Sequence, residues 1–147
     1  MVQVRILNNS NNPTPEYKTE GAAGFDIASS ETIFISAQGS VLVSTGIHVI
    51  IPEGYEGQLR LRSSMYKKPF VMPNAPGTID SDYRGEIKIP LRNLNSLCPE
   101  TIVKGERIAQ IVIQKLPQVD IEEVSEDAFF GKTTERGLKG FGSTGQN

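Results

Sequence analysis

Residues 74–88 read NAPGTIDSDYRGEIK, a stretch that begins with turn-forming residues and ends with an alternating pattern. Proline presets φ and glycine accepts a positive φ, so Pro76-Gly77 predicts a turn whose glycine uses that freedom. From residue 86 to 92 apolar and polar side chains alternate, which is the period of two expected of a half-buried strand. The stretch therefore predicts a polar turn that leads into a strand with one face in the core.

Residues 80–84, between this turn and this strand, carry two carboxylates, a phenol and a guanidinium. One interpretation is a polar hairpin loop whose aspartates cap backbone N–H groups. The alternative is the rim of a pocket that holds a base, either Asp80 or Asp82, together with a flat ring and an amide beside an exposed backbone. These residues by themselves leave both interpretations open.

Length and composition exclude several classes of protein. At 147 residues the chain has the size of one domain with a real core. Its net charge of −2 is dispersed, so no electrostatic footprint for nucleic acid or a membrane is visible. The single Cys98 excludes an internal disulfide, and His48, with no ligand at metal spacing, is interpreted as structural. Because the first residues lack a signal peptide's apolar run and no segment could span a bilayer, we expect a soluble cytoplasmic protein.

Short β-rich runs separated by turn residues recur along the whole chain. No segment keeps a period of 3.6 residues, and 125–131 offers at most one helical turn. The pattern predicts an all-β protein, a barrel or a sandwich. The predicted strands lie at 2–6, 32–35, 41–51, 56–62, 86–92, 108–113 and 119–124.

Three further sites carry polar groups that a ligand could use. Asp26 lies between apolar neighbours and either caps a turn or faces a cation. Arg62, Ser63 and Ser64 follow a predicted strand, where they form either an anion site or an ordinary serine helix cap. Gln110 interrupts an apolar run, so its amide either satisfies a neighbouring backbone or points at a ligand.

The C-terminal residues 133–145 form the second informative stretch. Four glycines in residues 137–145 predict a segment that stays mobile until something orders it. The segment also carries Arg136, Phe141, Ser143 and Thr144, which are donors and a ring. One interpretation is an arm that closes over a phosphate chain with Phe141 covering a base, and the alternative is plain C-terminal disorder. No Walker A pattern is present.

Taken together, these segments resemble the five motifs of the trimeric dUTP pyrophosphatases (dUTPases) in order and spacing. The most specific parts are GTIDSDYRG at 77–85 and GFGSTG at 140–145. The resemblance implies a jelly-roll-like β barrel over residues 1–131 with at most one short helix, and a flexible glycine-rich arm over 132–147. It also implies a homotrimer in which three chains build each active site. The resembling segments are 22–28, 62–67, 74–87, 105–110 and 136–145.

The resemblance implies hydrolysis of dUTP to dUMP and pyrophosphate, which keeps uracil out of DNA and supplies dUMP for thymidylate synthesis. Asp80 would activate the water that attacks the α-phosphorus, while Asp82 would orient its neighbours. Tyr83 would pack on the deoxyribose and leave no room for a 2′-hydroxyl. The uracil edge would be held by Asn74, Gly77, Thr78, Ile79 and Lys88.

The remaining roles concern the phosphates. Asp26 would act on Mg²⁺ through its water shell, which suits a metal that keeps several waters and binds substrate phosphates. The phosphate chain would be bound by Arg62, Ser63, Ser64 and Gln110. The arm would close over base and phosphates with Arg136, Phe141, Gly142, Ser143 and Thr144. The family often has a glycine where this chain has Ser64, and Met65-Tyr66 is bulkier than usual, which affects the local phosphate geometry.

Two other functions are compatible with parts of this pattern. The related dCTP deaminases share the fold but need a glutamate in the strand after the central motif, and residues 87–92 read IKIPLR. A catalytically idle nucleotide sensor could use the same scaffold, but such a sensor would need neither Asp80 nor an arm with Phe141. Hydrolysis of dUTP is therefore the preferred prediction, with Mg²⁺ as cofactor and with no nucleic acid or membrane as partner.

Overall fold

The computed structural model describes residues 2–135, 137–138 and 140. The elements of the described residues are eleven strands and two short helical segments, which confirms the predicted all-β fold. The strands are β1 Arg5–Asn8, β2 Phe25–Ala28, β3 Ile33–Ile35, β4 Ser40–Ser44, β5 Ile47–Ile50, β6 Tyr55–Leu61, β7 Phe70–Val71, β8 Gly77–Ile79, β9 Lys88–Asn93, β10 Glu100–Ile102 and β11 Arg107–Lys115. A 3₁₀ helix covers Ser63–Lys67, and the α-helix α1 covers Glu126–Phe130.

The strands pair in four antiparallel sheets with a jelly-roll-like arrangement. The largest sheet has the order β2-β11-β6-β8, so the long strand β11 lies between β2 and β6 and the short strand β8 forms one edge. A second sheet has the order β4-β9-β7, and two further pairs are β1-β5 and β10-β3. Neighbours in each sheet come from distant parts of the chain, so the sheets bring separate sequence segments together.

The core follows the alternation that the sequence predicts. Along β9 the side chains of Ile89 and Leu91 are 0% exposed, while those of Lys88 and Arg92 face outward. The predicted strand at 86–92 is confirmed in type, although it begins at Lys88. Strand β11 carries buried pairs, such as Ile111 and Val112, because it lies at the centre of its sheet.

Gly77 differs from the expectation for a turn glycine. It lies in strand β8, where it is buried and pairs with Leu59, so it does not use a positive φ. The positive φ values among the described glycines belong to Gly46, Gly54, Gly105 and Gly137. The turn itself lies just before β8, where the backbone N–H of Ala75 donates a hydrogen bond to Met72 O.

The chain divides into two compact units, each held by contacts within itself, with the boundary between Pro117 and Gln118. In the second unit Ser125 caps α1, since its Oγ accepts a hydrogen bond from Ala128 N at 3.4 Å. The predicted helical turn is confirmed. Among the described residues, no helix is long and apolar enough to cross a membrane.

The predicted strand at 119–124 is wrong, because these residues have no regular secondary structure. Val119 is 72% exposed and Ile121 is 91% exposed. Alternating side chains become a strand only when another strand satisfies the backbone, and the described part of the second unit offers none. The predicted division into a barrel at 1–131 and an arm at 132–147 stays a prediction.

Candidate active site

A cavity of about 340 Å³, here called the β8 cavity, is built around strand β8, the loop 80–87 and the adjoining strands β4 and β9. It brings together seven residues that the sequence assigned to base, sugar and catalysis. These are Asn74, Gly77, Thr78, Ile79, Asp80, Tyr83 and Lys88. The remaining lining residues were not predicted: Leu42, Leu59, Glu86, Ile87 and Pro90.

Strand β8 presents its backbone to this cavity. It pairs with β6 through Gly57–Ile79, Gln58–Thr78 and Leu59–Gly77, and it is the last strand of its sheet. An edge strand offers a row of N–H and C=O groups that the sheet does not use. The cavity can therefore bind a flat heterocycle whose edge alternates hydrogen-bond donors and acceptors.

The loop after β8 is closed on itself by short hydrogen bonds. Tyr83 N donates to Asp80 O at 3.1 Å, and Arg84 Nη1 donates to the carbonyl oxygens of Ser81 and Tyr83 at 2.7 and 2.8 Å. The Tyr83 hydroxyl donates to Glu86 O at 3.0 Å. These bonds fix the Tyr83 ring at the cavity, although the side chain remains 45% exposed.

Gly85 is required by this position of the tyrosine. A Cβ built on Gly85 would overlap Oη and Cζ of Tyr83. Any larger residue would therefore displace the ring from the cavity wall.

The two aspartates of the loop occupy different positions. Asp80 follows β8 directly and lines the cavity. The register of β8 with β6 therefore fixes the backbone position from which its side chain extends. Asp82 is exposed and does not line the cavity. Of the two alternatives left open by the sequence, the geometry favours Asp80 as the base.

Glu86 is a site residue that the sequence analysis did not identify. Its Oε1 accepts hydrogen bonds from Thr45 N at 3.0 Å and Gly46 N at 2.9 Å, and its Oε2 lies 3.6 Å from Lys88 Nζ. Burial acts to raise the pKa of Glu86, but the N–H groups of Gly46 and Thr45, helped by Lys88, hold that pKa below its ordinary value. The sequence shows Glu86 only as a polar position of an alternating strand.

A second cluster lies at the other end of the same sheet. Arg62 Nε donates to Asp26 Oδ1 at 2.8 Å, and Arg107 Nη1 donates to Asp26 Oδ2 at 2.9 Å. Arg62 Nη1 also approaches Ser64 Oγ at 3.5 Å. Gln110 of β11 pairs with Asp26, so four residues predicted to bind phosphate or Mg²⁺ meet here.

Ser63 opens the adjoining 3₁₀ helix, in which Arg62 occupies the N-cap without a side-chain cap bond. The alternative of an ordinary serine cap is therefore wrong. Arg107 was not predicted from the sequence. Its position within the resembling segment 105–110 was the available signal, but the pairing with Asp26 depends on the register of β2 with β11.

This cluster fits Mg²⁺ only through water and substrate. Both oxygens of Asp26 are engaged by guanidinium groups, and among the described residues no group of three or more His, Cys, Asp or Glu side chains could hold a metal ion. Mg²⁺ commonly keeps several waters and binds one or two carboxylates together with substrate phosphates. Asp26 would serve as an outer ligand of that kind.

The two clusters are far apart within one chain. Gly57 of β6 pairs with Ile79 of β8, so Asp80 lies beside position 56 of β6. Arg62 lies six residues further along that extended segment, at about 20 Å. Within one chain, Asp80 and Arg62 therefore lie at opposite ends of this part of the sheet. The predicted arm residues Arg136, Phe141, Gly142, Ser143 and Thr144 lie outside the described residues.

Comparisons with known proteins agree with this geometry. The dUTPase family model matches residues 10–145. The chain is 44% identical over 148 residues to the deoxyuridine 5′-triphosphate nucleotidohydrolase of Fusobacterium nucleatum, a match covering 99% of this chain and 98% of that relative. The corresponding protein of Zymomonas mobilis is 46% identical over 142 residues, covering 96% of this chain and 94% of the relative.

A solved structure gives the same result. The dUTPase of Staphylococcus bacteriophage 80alpha with dUpNHpp superposes with a TM-score of 0.87 at 31% identity, covering 98% of this chain and 99% of that chain. The family model and the two relatives each extend over nearly the whole chain. This chain belongs to the dUTPase family.

Proposed function

We propose that this chain hydrolyses dUTP to dUMP and pyrophosphate by attack of water on the α-phosphorus. The observation that carries the proposal is the position of Asp80, which directly follows an edge strand in a cavity that also contains Asn74 and Tyr83. A base-binding strand and a proton acceptor are thereby joined by one peptide bond. A nucleotide whose base lies along β8 and whose sugar points towards residue 80 would bring its first phosphate near that carboxylate.

The edge of β8 explains the preference for uracil. Backbone groups around Thr78, the Asn74 amide and the Lys88 ammonium group belong to residues that line the same cavity, so donors and acceptors for a base are available there. Cytosine would present donors where uracil presents acceptors, and unpaired polar groups in a closed site are costly. The methyl group of thymine would meet the turn before β8.

Tyr83 provides the wall for the sugar. Its ring is held from both ends, by the loop hydrogen bonds and by the bond of its hydroxyl to Glu86 O. A deoxyribose packs against such a ring, whereas a 2′-hydroxyl would collide with it. The site thus separates dUTP from UTP by shape.

The chemical step needs a proton acceptor and a neutralised phosphate chain. The water oxygen bonds to the α-phosphorus while the bond to the bridging oxygen breaks, and pyrophosphate leaves. The proton of that water passes to Asp80, which is within reach because β8 fixes both the base and the carboxylate. Mg²⁺, when bound to the phosphates, supplies positive charge against the negative charge that develops.

We further propose that the active form is a homotrimer with shared sites. The backbone separation of about 20 Å between Asp80 and Arg62 supports a site in which a second chain supplies the Arg62 cluster. Cyclic symmetry lets each chain supply one part of each of several identical sites. The exposure of Val119 and Ile121 supports the same assembly, because exposed apolar side chains can pack against another chain.

In this assembly Asp26 holds the two guanidinium groups of Arg62 and Arg107 ready for the phosphates, with Ser63, Ser64 and Gln110 beside them. The arm residues Arg136, Phe141, Gly142, Ser143 and Thr144 would close the site. Removal of dUTP in this way keeps uracil out of DNA and supplies dUMP for thymidylate synthesis.

Pyrophosphate and ammonia release from dUTP, UTP, dTTP and dCTP tests the proposal. We expect pyrophosphate from dUTP in large excess over the other three, and no ammonia from dCTP. Equal turnover of all four nucleotides, or ammonia from dCTP, would contradict it. Absence of turnover with tight dUTP binding would indicate a sensor.

A further inference from the structure

The link between β4 and β5 is a rigid anchor. Thr45 is 0% exposed, and its Oγ1 donates to Ile87 O at 2.5 Å and accepts from Ile47 N at 3.1 Å. Gly46 O accepts from Asn9 N at 2.8 Å. The chain therefore fixes the Thr45-Gly46 peptide from two sides.

The position of Gly46 accepts only glycine. Its φ is +68°, which side-chain-bearing residues rarely adopt, and a Cβ there would lie 2.8 Å from Ser10 N. The two N–H groups of Thr45 and Gly46 consequently point in fixed directions. They form a small, rigid pair of donors.

The Glu86 side chain connects this anchor to the β8 cavity. Its Oε1 accepts both donors at 3.0 and 2.9 Å, and the side chain is 25% exposed. The backbone oxygen of the same residue accepts the Tyr83 hydroxyl at 3.0 Å. A continuous path of hydrogen bonds thus runs from the anchor through Glu86 to the tyrosine ring.

We propose that Glu86 is a positioning residue that sets the discrimination between dUTP and UTP by fixing Tyr83. This inference rests on the proposed function, in which Tyr83 is the wall against a 2′-hydroxyl. Glu86 does not touch the reacting atoms in this arrangement. Its side chain fixes the position of its own backbone oxygen, and this oxygen holds the Tyr83 ring through the hydroxyl group.

The reach of the side chain, rather than its charge, is what this role requires. A glutamine oxygen can accept the same two N–H bonds without a charge. An aspartate keeps the charge but is shorter by one methylene, so it does not reach both donors. Alanine has neither the length nor the charge of glutamate.

The experiment measures kcat/KM for dUTP and for UTP in the full-length protein. We expect Glu86→Ala and Glu86→Asp to reduce the ratio of the two values by about tenfold, in line with the modest energies of steric discrimination. Glu86→Gln should restore the ratio to within about threefold of the unchanged protein. Glu53→Ala, which removes an exposed carboxylate outside the β8 cavity, is the matched control and should leave the ratio unchanged.

A double-mutant cycle with Tyr83→Ala separates positioning from general damage. If Glu86 acts through the ring, Glu86→Ala should not lower the ratio further once the ring is absent. Additive losses, an unchanged ratio in Glu86→Ala, or a loss in Glu86→Gln equal to that in Glu86→Ala would each overturn the inference. Where Glu86→Ala does not fold, Glu86→Asp carries the same comparison.

The failure of the proposed function has a different outcome. In that case the unchanged protein itself releases no pyrophosphate from dUTP. A normal rate with dUTP and an unaltered ratio in the Glu86 variants would leave the function intact and reject the positioning role alone.

Discussion

The replacement Asp80→Asn tests the assignment of the general base. Asparagine keeps the size and polarity of the side chain but removes the basic lone pair and the charge. A positioned general base contributes about 10² to 10⁴ in rate, so kcat should fall by that factor, which corresponds to about 3–5 kcal/mol of barrier. Because Asp80 is exposed at the end of β8, the free energy of unfolding should change by less than about 0.5 kcal/mol.

The structure provides a matched control three positions from the end of β8. Asp82 belongs to the same loop and is also exposed, but it does not line the β8 cavity. Asp82→Asn should therefore cost much less activity than Asp80→Asn. Both variants would be compared by pyrophosphate release under single-turnover conditions, with the thermal midpoint and dUTP binding measured in parallel.

The reasoning is refuted if Asp82→Asn abolishes turnover while Asp80→Asn does not. It also fails if Asp80→Asn loses activity only in proportion to a loss of folded protein. In the first case the loop carries the base on its outer side, and in the second the carboxylate is structural.

Four further predictions concern the sugar wall, the C-terminal arm, the assembly and the Glu86 carboxylate. Tyr83→Ala should lower the discrimination between dUTP and UTP by about 1–3 kcal/mol, measured as the ratio of kcat/KM values, and an unchanged ratio would assign the sugar to another residue. Deleting residues 136–147 should cripple turnover but leave the oligomer and the thermal midpoint intact, because the proposed arm would only close a site that the rest of the chain has already folded. Near-normal hydrolysis would reject the lid. Light scattering should give a trimer, and an active monomer would reject the shared site. The pKa of Glu86 is lowered from its ordinary value of 4.5, so its contribution to stability is present above that value and is lost as pH falls through the lower folded value. Unfolding free energies of the unchanged protein and Glu86→Gln should therefore converge in acid, and a constant difference would show that the charge is not involved.

Strands with one face in the core are predictable from sequence because one-sided burial imposes a period of two on their side chains. Strand β9 shows this, since the alternation of Ile89 and Leu91 matches their full burial. The segment 119–124 has the same alternation, yet it is not a strand here. Side-chain pattern describes the faces of a strand but says nothing about whether a hydrogen-bonding partner exists.

For the site, too, the sequence predicts what is local in the chain and not what depends on strand pairing. The local sequence predicts the loop 80–84, because its functional groups are neighbours in the chain. The ion pairs of Asp26 with Arg62 and Arg107 cross 36 and 81 positions, and only the pairing of β2, β11 and β6 creates them. Glu86 was missed for a related reason, since its partners Thr45 and Gly46 lie on a distant link that no local pattern connects to it.

The short length of β8 has a consequence for solubility. Its three residues span about 10 Å, and its open edge carries the same backbone groups that recruit foreign strands in aggregating proteins. Three residues are enough to hydrogen-bond the edge of one pyrimidine. They give an incoming β-strand too few hydrogen bonds for stable addition. In the proposed complex, the same short length that matches the edge to a single base also keeps this edge from adding strands of other chains.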